Sequence, residues 1–144
     1  MSEPLNLGDN AITTATAGEV ITSGSDANGS TQAYLAGLGD KLAATLSVNF
    51  TYGSGGTTLK VIVETSLDQG TTCLEVYRAA FTTAGGQRVV NVSALTPKTM
   101  PLTPAALSDD TVMDGVFGDR WRARKIVTGT YAGNSSVSVR MQAR

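Results

Sequence analysis

Catalysis and metal binding need side chains that carry protons, attack or coordinate, and the 144-residue chain offers a restricted set: twelve Asp and Glu, eleven Lys and Arg, one cysteine and no histidine. A Ser or Cys nucleophile normally takes its base from histidine, so that route is closed. A Ser-Lys pair fares no better, because none of Lys41, Lys60, Lys98 and Lys125 lies three positions after a serine. Cys73 stands alone, which excludes an intrachain disulfide and a cysteine-rich zinc site. Carboxylates are available at Glu64, Asp68, Glu75, Asp109, Asp110, Asp114 and Asp119, yet no spacing places two of them on either side of a sugar, as glycoside hydrolysis requires. The acidic run SDDTVMDGVFGD, residues 108–119, lacks the alternating ligand spacing and final glutamate of a calcium loop. GSGGTT, residues 53–58, has glycines but leads into a strand pattern, where a phosphate loop needs a helix N-terminus and a lysine. The chain is therefore read as a non-enzyme with no cofactor and no metal.

Two local patterns remain. Ser66-x-Asp68-x-Gly70-x-Thr72 resembles the Asp-box turn of sialidases and other sugar-handling propellers, with Cys73 where that motif carries an aromatic. In such a turn the aspartate bonds backbone donors and the glycine takes the strained position, so Ser66, Asp68 and Gly70 are assigned to a structural turn. One copy without the aromatic implies neither a propeller nor a sialidase. The second pattern is GDRWRARK, residues 118–125: on a strand Trp121 and Ala123 face one side, and Arg120, Arg122 and Arg124 form a basic ladder on the other. With Trp121 in the core, the ladder is a candidate partner interface. Pro101 and Pro104 of TPKTMPLTP join it as candidates, because that segment holds three of the four prolines and favours an extended crossing between sheets.

The elements that would position these groups are strands. KLAATLSVNFTY alternates Leu42, Ala44, Leu46, Val48, Phe50 and Tyr52 against smaller and polar residues, the period of a half-buried strand. TTLKVIVETS alternates similarly after the Gly53–Gly56 cluster, which predicts a hairpin between the two. CLEVYRAAF is apolar on both faces and reads as a central or bulged strand. A last hairpin is expected from DRWRARKIVTGTY to SSVSVRMQAR through Ala132-Gly133-Asn134, and GEVITS and TQAYLAGL read as two shorter strands. Together these predict an all-β chain, a β-sandwich or jelly roll of about eight antiparallel strands. Residues 1–11, without periodicity, are expected to form an N-terminal arm that orders against a neighbour, and residues 12–144 a single β-sandwich domain.

Composition bounds the partners. A formal charge of −1 and a pI near 5.3 argue against a general nucleic-acid binder. No window approaches the ~18 apolar residues of a membrane span, and no signal-like start is read, so synthesis in the cytoplasm without membrane association is expected.

At the level of the whole chain, the order of NFTYGSGGTTLKVIVETSLDQGTTCLEV and then TPKTMPLTPAALSDDTVMDGVFGDRWRARKIVTGTYAGNSSVSVRMQAR resembles small virion proteins of tailed bacteriophages and prophages, of the type found in alphaproteobacterial hosts. The likeness runs from about Leu38 to the C-terminus and is most specific in TYGSGGTT, TSLDQGTT, GDRWRARK and TGTYAG. It implies a structural component of the virion and carries over no functional residue. The expectation is a capsid decoration, or cement, protein on the outer surface of the major capsid lattice, with the major capsid protein or another virion protein as partner. A homo-oligomer, a trimer by analogy with phage cement proteins, is expected. The alternatives are a tail, baseplate or fibre adhesion module that binds host carbohydrate, and a neck or tail-completion protein.

Overall fold

The computed structural model describes residues 4–25 and 31–144. In chain order its strands are β1 (Leu5–Ala11), β2 (Thr16–Val20), β3 (Gly24–Ser25), β4 (Thr31–Gln32), β5 (Ala43–Thr51), β6 (Ser54–Gly55), β7 (Thr58–Ser66), β8 (Cys73–Phe81), β9 (Gly86–Ser93), β10 (Thr111–Val112), β11 (Arg120–Thr128), β12 (Tyr131–Ala132) and β13 (Ser136–Ala143). No helix occurs among the described residues. One sheet has the order β1-β13-β5-β9 and the other β10-β8-β7-β11-β2, with antiparallel pairing throughout, while the pairs β12-β6 and β3-β4 stand apart. The chain is an all-β antiparallel sandwich.

Period-two alternation builds the core. Leu46, Val48 and Phe50 of β5 and Val137, Val139 and Met141 of β13 point inward from the first sheet; Leu59, Val61 and Val63 of β7 meet them from the second. Trp121 and Ala123 enter the same cluster from β11, and the indole Nε1 donates to the Gly118 carbonyl at 3.1 Å, so the one polar atom of the ring is satisfied. Phe50, Tyr52, Phe81 and Tyr131 pack at one end of the core, with ring centroids 5.3–6.2 Å apart.

The connections differ from the hairpins expected from the glycine turns. β5 and β7 belong to different sheets, as do β11 and β13, so each glycine-rich turn is an arch across the sandwich. The two arches pair with each other through β6 and β12, Tyr131 opposite Gly55 and Ala132 opposite Ser54. Alternation on both strands satisfies a hairpin and an arch equally well, which is why the pattern did not separate them. Gly56 makes the arch possible: at φ 72° a Cβ there would lie 2.3 Å from the Tyr131 ring. The β7–β8 turn is a true hairpin, and β8 carries a bulge where the register shifts between Val63 and Glu64.

The expected N-terminal arm is also corrected. From Leu5 onward the segment is strand β1, paired with β13, and Leu7 is fully buried in the core. A bulge between Asn6 and Gly8 breaks the alternation and hides the strand from a periodicity argument. Gly8 takes φ 143°, its amide is received by the Asn6 side chain at 2.8 Å, and a Cβ would fall 2.7 Å from the Ile21 carbonyl oxygen. Residues 94–110, with Pro97, Pro101 and Pro104, cross from β9 in one sheet to β10 in the other without forming a strand. Residues 26–30, the polar DANGS between the segments GEVITS and TQAYLAGL, lie outside the described residues.

Candidate functional site

The β7–β8 turn and the neighbouring strand β11 bring together most of the residues singled out above. Ser66 and Asp68 fold the turn from inside: Ser66 Oγ donates to Asp68 Oδ1 at 2.9 Å and accepts the Gly70 amide at 2.8 Å, while Asp68 Oδ1 accepts the Thr72 amide at 2.7 Å. Gln69 and Gly70 then take φ 62° and 92°. The Thr72 amide, with further hydrogen bonds from the Thr72 and Ser66 side chains, holds the Asp68 carboxyl below its ordinary value. These groups are occupied by the turn itself.

The arginine ladder lies on the outer face of the second sheet, where it meets a carboxylate of its own chain. Glu64, opposite Arg122 in the register, is buried; its Oε1 accepts Arg122 Nε at 3.0 Å and Arg124 Nε at 2.5 Å, and Oε2 accepts Arg124 Nη2 at 3.3 Å. Glu64 also stands opposite Glu75 of β8, a like-charge pairing that would repel. Arg78 relieves it by gripping both Glu75 oxygens at 3.1 and 3.2 Å. Between these clusters Ile62 is fully buried yet outside the core cluster; its neighbours across the strands are Arg78 and Arg124. Two arginines thus serve as side-chain cover for an apolar residue as well as ion-pair partners.

Arg120 is placed differently. Its guanidinium lies 4.3 Å from the centre of the Tyr34 ring, and Nη1 donates to the Tyr34 hydroxyl at 2.6 Å and to the Gln69 carbonyl at 2.7 Å. Tyr34 is held there because Leu35 exchanges backbone hydrogen bonds with Trp121, at 2.7 and 2.9 Å, extending the sheet alongside the start of β11. Among the described residues the buried Nε of Arg120 has no hydrogen-bond partner, and its nearest carboxylate, on half-exposed Asp119, is 3.8 Å away.

Tyr34, Arg120, Arg122, Glu64, Cys73 and Gln69 line a cavity of about 170 Å³ whose inner wall includes Trp121. Cys73 is half-buried, and that burial pushes its thiol up despite the nearby guanidiniums of Arg122 and Arg124. On the other flank of the same turn Leu67, Leu74, Leu102 and Pro104 line a shallow apolar groove. The candidate interface residues therefore divide: Arg120 and Arg122 lie on the cavity side of the turn and Pro104 on the groove side, while Pro101 is exposed on the crossing. Arg124 turns to Glu64 and lines neither.

Tyr34 and Glu64 were not singled out as interface or site residues by the sequence. Glu64 looked like the polar half of an alternating strand, and 58 residues separate it from Arg122, so only the β7–β11 register reveals the pair. Among the described residues no group of three or more His, Cys, Asp and Glu side chains is placed to hold a metal ion. No protein-family model, curated protein or solved structure matches the chain.

Proposed function

We propose that this chain is a structural virion protein of a tailed phage, a capsid decoration protein that docks on the outer surface of the major capsid lattice. The observation that carries the reading is the exposed apolar surface at the turn end of the sandwich. Leu67 is 67% exposed and shares the groove with Leu74, Leu102 and Pro104, and the proline-rich crossing adds Met100 at 74% and Leu95 at 70%. Isolated exposed leucines need no explanation, but several on one extended segment beside an apolar groove are what a docking surface presents. Prolines keep that segment extended before it binds, which lowers the entropy lost on contact. The resemblance of GDRWRARK, TSLDQGTT, TYGSGGTT and TGTYAG to phage virion proteins supports a virion component, and the capsid lattice as partner and a homo-oligomeric state are proposed by analogy with phage cement proteins.

Quantitative mass spectrometry of purified particles tests the proposal by the molar ratio to the major capsid protein. A ratio near one, or a fixed large fraction, is expected for a protein that repeats with the lattice. A count of about a dozen or fewer overturns the decoration reading and moves the chain to the neck, tail or fibre, where closed symmetry sets the number. In that case the glycan-binding alternative becomes the next to test.

A further inference from the structure

We propose that the cavity between the β7–β8 turn and the start of β11 is a binding site for a single carboxylate group. Three observations meet there. The guanidiniums of Arg120, Arg122 and Arg124 carry three positive charges; the carboxylates set against them are Glu64, shared by Arg122 and Arg124, and Asp119, 3.8 Å from Arg120 Nε. Asp68, whose charge reaches Cys73 from the far side of the turn, brings the cluster to neutrality, so a guest carboxylate is held here by directed hydrogen bonds and not by surplus charge. Next, Arg120 is pre-positioned: stacking on Tyr34 and the two Nη1 hydrogen bonds fix the plane of its fork, while buried Nε is a donor with no acceptor among the described residues. A buried donor left in this state is unfavourable until an acceptor arrives. Finally, the space is adequate: 170 Å³ holds several waters' worth of volume, enough for a carboxylate on a short carbon chain.

The same features select a carboxylate over other anions. A fixed guanidinium fork matches two coplanar oxygens. A dianion such as sulfate or phosphate would bring two negative charges beside buried Glu64, where a carboxylate brings one. Trp121 and Cys73 keep part of the wall apolar, so the attraction acts in a medium less polarisable than water. The carboxylate can come from a free small acid or from an acidic side chain of a docking protein; the chemistry recognised is the same. This inference stands independently of the virion proposal, since an isolated protein with this cavity binds the group whatever particle it belongs to.

The test uses the full chain and four probes at constant ionic strength: butyrate, glucuronate, an N-acetylated and C-amidated Gly-Glu-Gly peptide, and its Gly-Gln-Gly counterpart. Two readouts are followed, the Nε–Hε resonance of Arg120 by nuclear magnetic resonance and the alkylation rate of Cys73, the only cysteine and a lining residue of the cavity. The expected result is saturable binding of carboxylates in the millimolar range or tighter, a shifted Arg120 resonance, and slower alkylation of Cys73. Arg120→Lys, which keeps the charge and loses the fork, should weaken binding about 10-fold. Arg140→Gln should leave binding unchanged, since Arg140 pairs with Asp9 on the other sheet. If the glutamate peptide binds more tightly than both small acids, the source is a protein side chain; if glucuronate or butyrate leads, it is a free acid. Absence of saturation by every carboxylate overturns the proposal, as does equal response to the glutamine peptide or to sulfate, titrated as a fifth probe. Should Arg120→Lys fail to fold, Ala33→Phe at the exposed rim fills the cavity and must abolish both responses.

Discussion

Replacing Glu64 with glutamine isolates the energetic centre of the outer face. The carboxylate accepts hydrogen bonds from two arginines while only 5% of its side-chain surface is exposed, so its removal leaves two guanidiniums facing a neutral amide. Breaking a buried ion pair from one side costs about 3–5 kcal/mol. Here Arg122 and Arg124 retain 27% and 23% exposure and can turn toward water, which brings the expected loss to about 2–3 kcal/mol. A chain of 144 residues with an unfolding entropy of about 2.1 cal/mol/K per residue loses about 0.3 kcal/mol of stability per degree near its midpoint, so Glu64→Gln should lower Tm by about 7–10 °C. Differential scanning calorimetry reads the shift, and a double-mutant cycle with Arg124→Gln should return a coupling of about 1–3 kcal/mol. A drop below about 2 °C, or strict additivity in the cycle, would refute the idea that this carboxylate neutralises the ladder.

The remaining expectations concern the turn, the arch and the buried phenols. Asp68→Asn should lower Tm at neutral pH; because the folded-state carboxyl is held below its ordinary value, the stabilisation is present above about pH 4 and is lost as pH falls through the folded-state value. Melting curves of both proteins should therefore converge in acid, and a difference that persists there would contradict the turn's charge-assisted hydrogen bond. Gly56→Ala should cost about 2–4 kcal/mol in urea unfolding, since it combines a positive φ with a clash on the Tyr131 ring; a stable variant would mean that the arch relaxes freely. Burial raises Tyr77 and Tyr131, so their contribution is complete below about pH 10 and declines as pH rises through the folded-state values. Tyr131→Phe gives up the 2.7 Å hydrogen bond to the Thr82 carbonyl and should flatten part of that alkaline decline, which a pH series of melts would reveal.

Much of the sandwich was legible because strands announce themselves through period two: β5, β11 and β13 follow the alternation residue by residue, β7 follows it only over its first few residues before both faces are buried, and Trp121 faces the core on a strand whose other side is basic. What alternation cannot encode is the partner of each strand. TYGSGGTT and TYAGNSS carry turn chemistry that serves a hairpin and an inter-sheet arch alike, and the arches only become recognisable once Gly55 and Tyr131 are seen paired. Strand β1 escaped notice because a bulge at Gly8 shifts its phase after two residues. The site divides in the same way. Ser66, Asp68 and Gly70 act within a few residues of each other, so local spacing exposes the turn, whereas the cavity depends on Tyr34, Glu64 and Arg120, which only tertiary register brings together.

Strand β13 lies between β1 and β5 in the first sheet, so a late segment of the chain is wedged between two early ones. During synthesis β1 and β5 emerge long before it and have no partner for their facing edges, leaving that sheet open until Ser136–Ala143 has cleared the ribosome. A ribosome that stalls before β13, or a frameshift upstream of it, therefore releases a polypeptide with two bare strand edges and a core that lacks Val137, Val139 and Met141, a substrate for proteolysis and aggregation. Quality control is in this sense written into the connectivity: only a chain translated through β13 can close the sandwich.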